Sequence, residues 1–163
     1  MIWGQDNPSL LQMAVPSLNI APDARGGGMG DMGAATLPDI NSQYWNAAKY
    51  AFMGSKAGVS LSYTPWLRKL VNDVALVNMT GYYKLGNSDL QAISASLRYF
   101  SLGEVNIWEN IGDVPYGLNP YEMAFDVAYS RKLSESYSMA VTLRYIRSDM
   151  GTDQNDESNA GNA

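Results

Sequence analysis

The chain contains no cysteine and no histidine among its 163 residues. Without thiols there is no disulfide framework, no thiolate nucleophile and no cysteine-held metal. Without imidazole the commonest acid–base group is gone as well. The missing cysteines leave the compartment open, because an oxidising location permits disulfides without requiring them. A basic excess is also absent: 11 Lys and Arg stand against 16 Asp and Glu, for a formal charge of −5. Three of those acids, Asp153, Asp156 and Glu157, lie in the terminal GTDQNDESNAGNA. The remainder is close to neutral, so no nucleic-acid partner is expected. No apolar run approaches the ~18 residues of a membrane-crossing helix. The early stretch SLLQMAVPSLNIA is interrupted by Gln12, Pro16 and Asn19 and does not make a complete signal peptide. Phenylalanine is scarce, three against eleven tyrosines. Tyrosine suits a surface that is apolar along its body and wet at its tip.

What is present begins with a glycine cluster, GGGMGDMGAA, in which Gly28, Gly30 and Gly33 spell the G-x-G-x-x-G of a dinucleotide turn. That turn needs a buried strand before it, a helix after it and an acid about 20 residues on. Here Pro22, Asp23 and Arg25 precede, Pro38 follows closely, and Met53 stands where the acid belongs. The nucleotide reading fails on context, which leaves tight backbone in a crowded place. Residues 1–55 are otherwise irregular. One short helix is expected within DINSQYWNAAKYAF, capped by Asp39 or Asn41, with Tyr44, Trp45, Ala48 and Phe52 as its apolar stripe.

From Ala57 the period changes to two. Val59, Leu61 and Tyr63 alternate with small residues, and so do Ile93, Ala95, Leu97 and Tyr99. Met123, Phe125, Val127 and Tyr129 form a third row, and Met139, Val141, Leu143 and Tyr145 a fourth. DVALVNMTGYYK fits less cleanly, with Ala75, Val77, Met79 and Tyr83 on one side. Five strands follow over 56–149, or six if EVNIW pairs with them. Short polar turns alternate with long connections, the layout of an up-and-down sheet in an outer membrane. The opposite face carries Ser94, Ser96, Arg98, Glu122, Asp126, Thr142 and Arg144. Those residues suit a wet lumen, in which Glu122 and Asp126 would pair with Arg98 and Arg144. A solvated face of a soluble sandwich fits the same alternation. Tyrosines closing each row favour the membrane, where they form a girdle at the interface, with Tyr63, Tyr99 and Tyr145 at one end. A closed barrel needs at least about eight strands, so further strands are expected after the polar loop 150–163, and the piece is not expected to fold alone.

The wording of AVPSLNIAPDARGGGMGDMGAATLPDINSQYWNAAKYAF, SYTPWLRKL, SLRYFSLGEV and FDVAYSRKLSESYSMAVTLRYI resembles the PorV family, outer-membrane barrels of the type IX secretion system. That family is itself similar to FadL-like channels. The resemblance implies an all-β, antiparallel up-and-down transmembrane β-barrel with an N-terminal segment, residues 1–55, folded inside as a partly helical plug. It places Gly28, Gly30, Gly33, Trp45 and Asn46 in that plug, with the glycines against the inner wall. The family's usual Asn-Pro-Ala is here Asn46, Ala47 and Ala48. No enzyme chemistry, catalytic residue, metal or cofactor is implied. The implied partners are cargo C-terminal signal domains, the translocon barrel, the sortase attachment complex and outer-membrane lipid. Pro65, Trp66, Leu67 and Trp108 are the candidate docking loops, unless the two tryptophans anchor at headgroup level or fold over the mouth. The alternative reading is a FadL-type channel for hydrophobic small molecules, which requires an apolar lumen.

Overall fold

The computed structural model describes residues 15–66, 73–86, 90–103, 105–107 and 116–149. Among these residues seven strands follow in chain order: β1 Ala57–Pro65, β2 Val74–Leu85, β3 Gln91–Leu102, β4 Val105–Ile107, β5 Tyr116–Leu118, β6 Tyr121–Lys132 and β7 Ser138–Asp149. Five of them form one antiparallel sheet in the order β1-β2-β3-β6-β7, an all-β meander with the up-and-down connectivity of a barrel wall. The short turns between β2 and β3 and between β6 and β7 lie at one end, and the long connections at the other. The backbone of Gly86 takes φ +73 in the first short turn, a conformation glycine adopts at little cost.

The centre of EVNIW does form a strand, but β4 pairs only with β5 as a separate hairpin. β3 and β6 are therefore direct neighbours, with Arg98 opposite Ala124 and Ser96 opposite Asp126. This places Tyr129 at the short-turn rim, level with Ile93 and Tyr83. Tyr63 and Tyr99 share one level at the long-loop rim, both opposite Val77. Tyr145 departs from the expected ring: it faces Phe125, one layer further in, because β7 pairs with β6 in a register that puts Arg147 at the Tyr99 level. Tyr121 fills that end of the belt, its ring stacked on Tyr99 with centroids 5.7 Å apart. Six residues separate the Tyr99 and Ile93 levels, about 20 Å along the strand.

Burial decides between lipid and a soluble core. Phe125 and Val127 are each 43% exposed, whereas Arg98 on the other face is 4% and Glu122 1% exposed. A soluble sheet buries its greasy side and wets its charges; this one does the reverse. Residues 15–56 lie across the charged face, and no described element covers the apolar one.

The covering segment consists of short pieces: a 3-10 turn Pro16–Asn19, α1 Ala24–Gly28, α2 Ser42–Trp45 and a second 3-10 turn Ala47–Phe52. The single expected helix is thus two. Asn46 breaks it at φ −162 and ψ 96, and its side chain accepts the Ala48 N–H at 3.1 Å to start the next turn. The restart shifts the phase, so Ala47, Lys49, Tyr50 and Ala51 are buried while Phe52 is exposed. Ala47 occupies the first helical position, where proline is well tolerated. Asn41 is the N-cap of α2 and makes no capping bond with its side chain. Asp39, two residues earlier, accepts the Asn41 N–H and the Ser42 hydroxyl, and the Ser42 Oγ in return accepts the Asp39 N–H.

The inverted polarity has a direct test. Val127→Arg places a charge in the apolar band and is expected to cost about 2–4 kcal/mol of folding free energy in bilayers. The check is a urea titration of the lipid-inserted full-length protein. Unchanged stability would contradict the assignment of this face to lipid.

Candidate functional site

The inward face draws its polar groups from alternate positions of four strands, and the chain before Ala57 closes over them. Asp126 and Arg144 stand directly opposite each other on β6 and β7. They form a two-pronged ion pair, Arg144 Nε to Asp126 Oδ1 at 2.6 Å and Nη2 to Oδ2 at 2.9 Å. Planar guanidinium and carboxylate match in this geometry, which fixes both side chains. The Ser96 hydroxyl donates to the same carboxylate at 3.3 Å.

Arg98 and Glu122 are arranged differently from the pairing that the sequence suggests. Arg98 lies 4.5 Å above the ring of Tyr44, and its Nη1 donates to the Ser17 carbonyl at 2.9 Å. Glu122 Oε2 accepts the Ser17 N–H at 3.0 Å. The two charges therefore meet through the backbone of Ser17. Of the four residues read as a lumen network, one pair is direct and the other is bridged by the plug. Ser17 could not be found from sequence, because its side chain takes no part in either bond.

Further along the plug, the Ser94 hydroxyl donates to Gln43 Oε1 at 2.6 Å and the Ser138 hydroxyl to the Ala48 carbonyl at 2.8 Å. Tyr50 is fully buried, its ring stacked on Tyr82 of β2 with centroids 4.9 Å apart. Its hydroxyl accepts the Gln43 N–H at 2.9 Å and donates to the Ile40 carbonyl at 2.8 Å. Burial pushes the Tyr50 hydroxyl well above its ordinary pKa, so the proton of the second bond stays in place. Lys49 donates to the Gly33 carbonyl at 2.8 Å and to Thr36 Oγ1 at 3.2 Å. Loss of hydration there moves its ammonium below the usual lysine range, with Asp39 acting in the opposite sense.

The glycines serve three different ends. Gly33 is buried against the indole of Trp45, where a Cβ would sit 2.3 Å from three ring carbons. Gly30 takes φ +74 in the open. Gly28 closes α1 with nothing near it. Packing against the inner wall is therefore not their role: Gly28 and Gly30 are exposed, and Gly33 packs within the plug itself. No described strand leads into the cluster, since β1 begins at Ala57.

At the long-loop end Pro65 closes β1, and the Trp66 N–H donates to the Val74 carbonyl at 2.9 Å. The Trp66 ring meets Phe100 edge to face at 6.0 Å. Phe100 faces inward, so Trp66 reaches across the mouth while staying partly exposed. Leu67 and Trp108 lie outside the described residues.

Between the plug and β7 there is a cleft of about 440 Å³, lined by Gln43, Asn46, Thr142 and Arg144 among others. It is polar. An apolar hollow of about 500 Å³ lies on the opposite side of the sheet, over Gly81 and Ala95 and among Met79, Leu97 and Phe125. Among the described residues no cluster of carboxylates, histidines or cysteines could hold a metal ion.

A model of the family described as type IX secretion system protein PorV matches residues 4–163. The chain belongs to the PorV family. No curated protein matches it. Membership of the PorV family makes it a component of the type IX secretion system, and its β-rich fold fits a barrel protein of that apparatus. No described helix is long and apolar enough to cross a membrane.

Gly33→Ala tests how the plug is held. The new Cβ meets rigid ring carbons, and overpacking of this kind costs about 1–3 kcal/mol. Limited proteolysis of the full-length protein is expected to cut within residues 25–40 faster than in the parent. An unchanged pattern would mean that Trp45 is free to move away.

Proposed function

We propose that the protein is an outer-membrane carrier that binds the C-terminal signal domain of secreted cargo. It takes that domain from the translocon barrel and passes it to the sortase-bearing attachment complex, with no catalytic step of its own. The carrying observation is the inverted sheet: an apolar face outside, and a charged face inside sealed by the chain's own N-terminal segment. A wall filled in this way has its working surface at the rim. At that rim Pro65 and Trp66 are exposed beside the mouth, and a partly exposed tryptophan is a common anchor of protein interfaces. Family membership supplies the secretion context.

A FadL-type channel would require an apolar lumen. The described inner cleft presents Arg144, Thr142 and Asn46 instead, so no observation favours that reading.

The test is capture of a purified cargo signal domain by the full-length barrel in detergent. Retention is expected, and Trp66→Ala is expected to weaken it about tenfold, as at an interface hot spot. No retention, together with normal cargo secretion in a strain lacking the gene, would remove the proposal.

A further inference from the structure

The N-terminal strap, residues 15–22, is tied to the wall at Ser17. Ser17 is only 2% exposed, and both of its backbone polar groups go to charged side chains from neighbouring strands. Arg98 of β3 takes the carbonyl and Glu122 of β6 takes the N–H. None of the described ion pairs joins Arg98 to Glu122 directly. The second carboxylate oxygen, Glu122 Oε1, is buried without a partner.

The register supplies an alternative. Arg98 stands opposite Ala124, which puts Glu122 on the adjacent diagonal. Diagonal neighbours in an antiparallel pair are about 7–8 Å apart, within reach of two long side chains. If the strap withdrew, Arg98 could close on Glu122 and give Oε1 the donor it now lacks. Removing one partner of a buried ion normally leaves a stranded charge and a large penalty. Here neither charge is stranded in either state. The body of the plug has its own attachments, Gln43 to Ser94, Ala48 to Ser138 and Tyr50 on Tyr82. The strap is also tied by the neutral bond from the Tyr44 hydroxyl to the Leu18 carbonyl, 2.8 Å long.

We propose that Arg98 and Glu122 form a releasable latch on the backbone of Ser17, closed when they hold the strap and open when they pair with each other. The latch governs closure of the polar face, whichever partner the rim engages. It reads main chain only, so the side chain at 17 can be changed without touching it.

The experiment uses Ser17→Cys in the full-length protein in outer-membrane vesicles, with a membrane-impermeant maleimide and labelling read at that residue by peptide mass. Ala51→Cys, 2% exposed in the body of the plug, is the companion site. Exchanging the charges, Arg98→Glu with Glu122→Arg, abolishes both bonds to Ser17, because a carboxylate cannot donate to a carbonyl and a guanidinium cannot accept from an N–H. The open-state pair survives the exchange. Labelling at 17 is expected to rise about tenfold or more, the scale of losing charged hydrogen bonds. Labelling at 51 stays slow, and the SDS-resistant folded band is retained. An unchanged rate at 17, or equal acceleration at 51, overturns the latch. If the exchanged protein fails to insert, the neutral Arg98→Met, Glu122→Met protein is read in the same way. Failure of both to fold would make these residues a requirement of the fold and also overturn the proposal.

Discussion

Successive side chains of a β-strand point to opposite faces, and everything in this molecule depends on that alternation being carried across five strands without a slip. From Leu61 through Met79, Leu97 and Phe125 to Tyr145, one level of outward side chains runs unbroken across the sheet. Thr80, Ser96 and Asp126 form an inward level in the same way. A shift of one residue at β3, β6 or β7 would turn a strand over, placing Arg98, Asp126 or Arg144 in the apolar band. Each cross-strand contact is weak alone, but on these strands the two faces differ so much in polarity that the wrong register is excluded.

The same alternation creates the problem that the N-terminal segment solves. A sheet that turns its apolar side chains outward must do something with the charges it turns inward. Here four inward charges obtain partners of different kinds. Asp126 and Arg144 find each other, Arg98 finds an aromatic face and a carbonyl, and Glu122 finds an amide. Main-chain groups of an irregular segment suit this task, because they offer donors and acceptors at short intervals where a regular helix would have used them internally. The broken helix at Asn46 belongs to that logic. The bend brings the Ala48 carbonyl to Ser138 of the wall and sets Tyr50 on Tyr82.

The division of labour fits membership of a secretion-system family. In the proposed carrier, lipid contact falls to alternating apolar residues, closure to the plug, and partner contact to the rim beside Trp66. Trp66 joins the last two, since its ring covers Phe100 on the inside while part of it remains available outside.

Much of this was legible before the fold was known. The period of two from Val59 to Tyr145 identified the strands and their two faces, because side-chain direction in a strand depends on position parity alone. The missing histidines and cysteines removed whole classes of chemistry for the same local reason. The failed context around Gly28, Gly30 and Gly33 likewise excluded a nucleotide turn. Three features required tertiary structure. The level of Tyr145 depends on inter-strand register. The break at Asn46 depends on where the wall offers bonds. The meeting of Arg98 with Glu122 through Ser17 depends on main-chain atoms brought together across 81 and 105 positions of sequence. Periodicity is written in neighbouring residues, whereas a bond to another segment's backbone leaves no mark on the residue that supplies it.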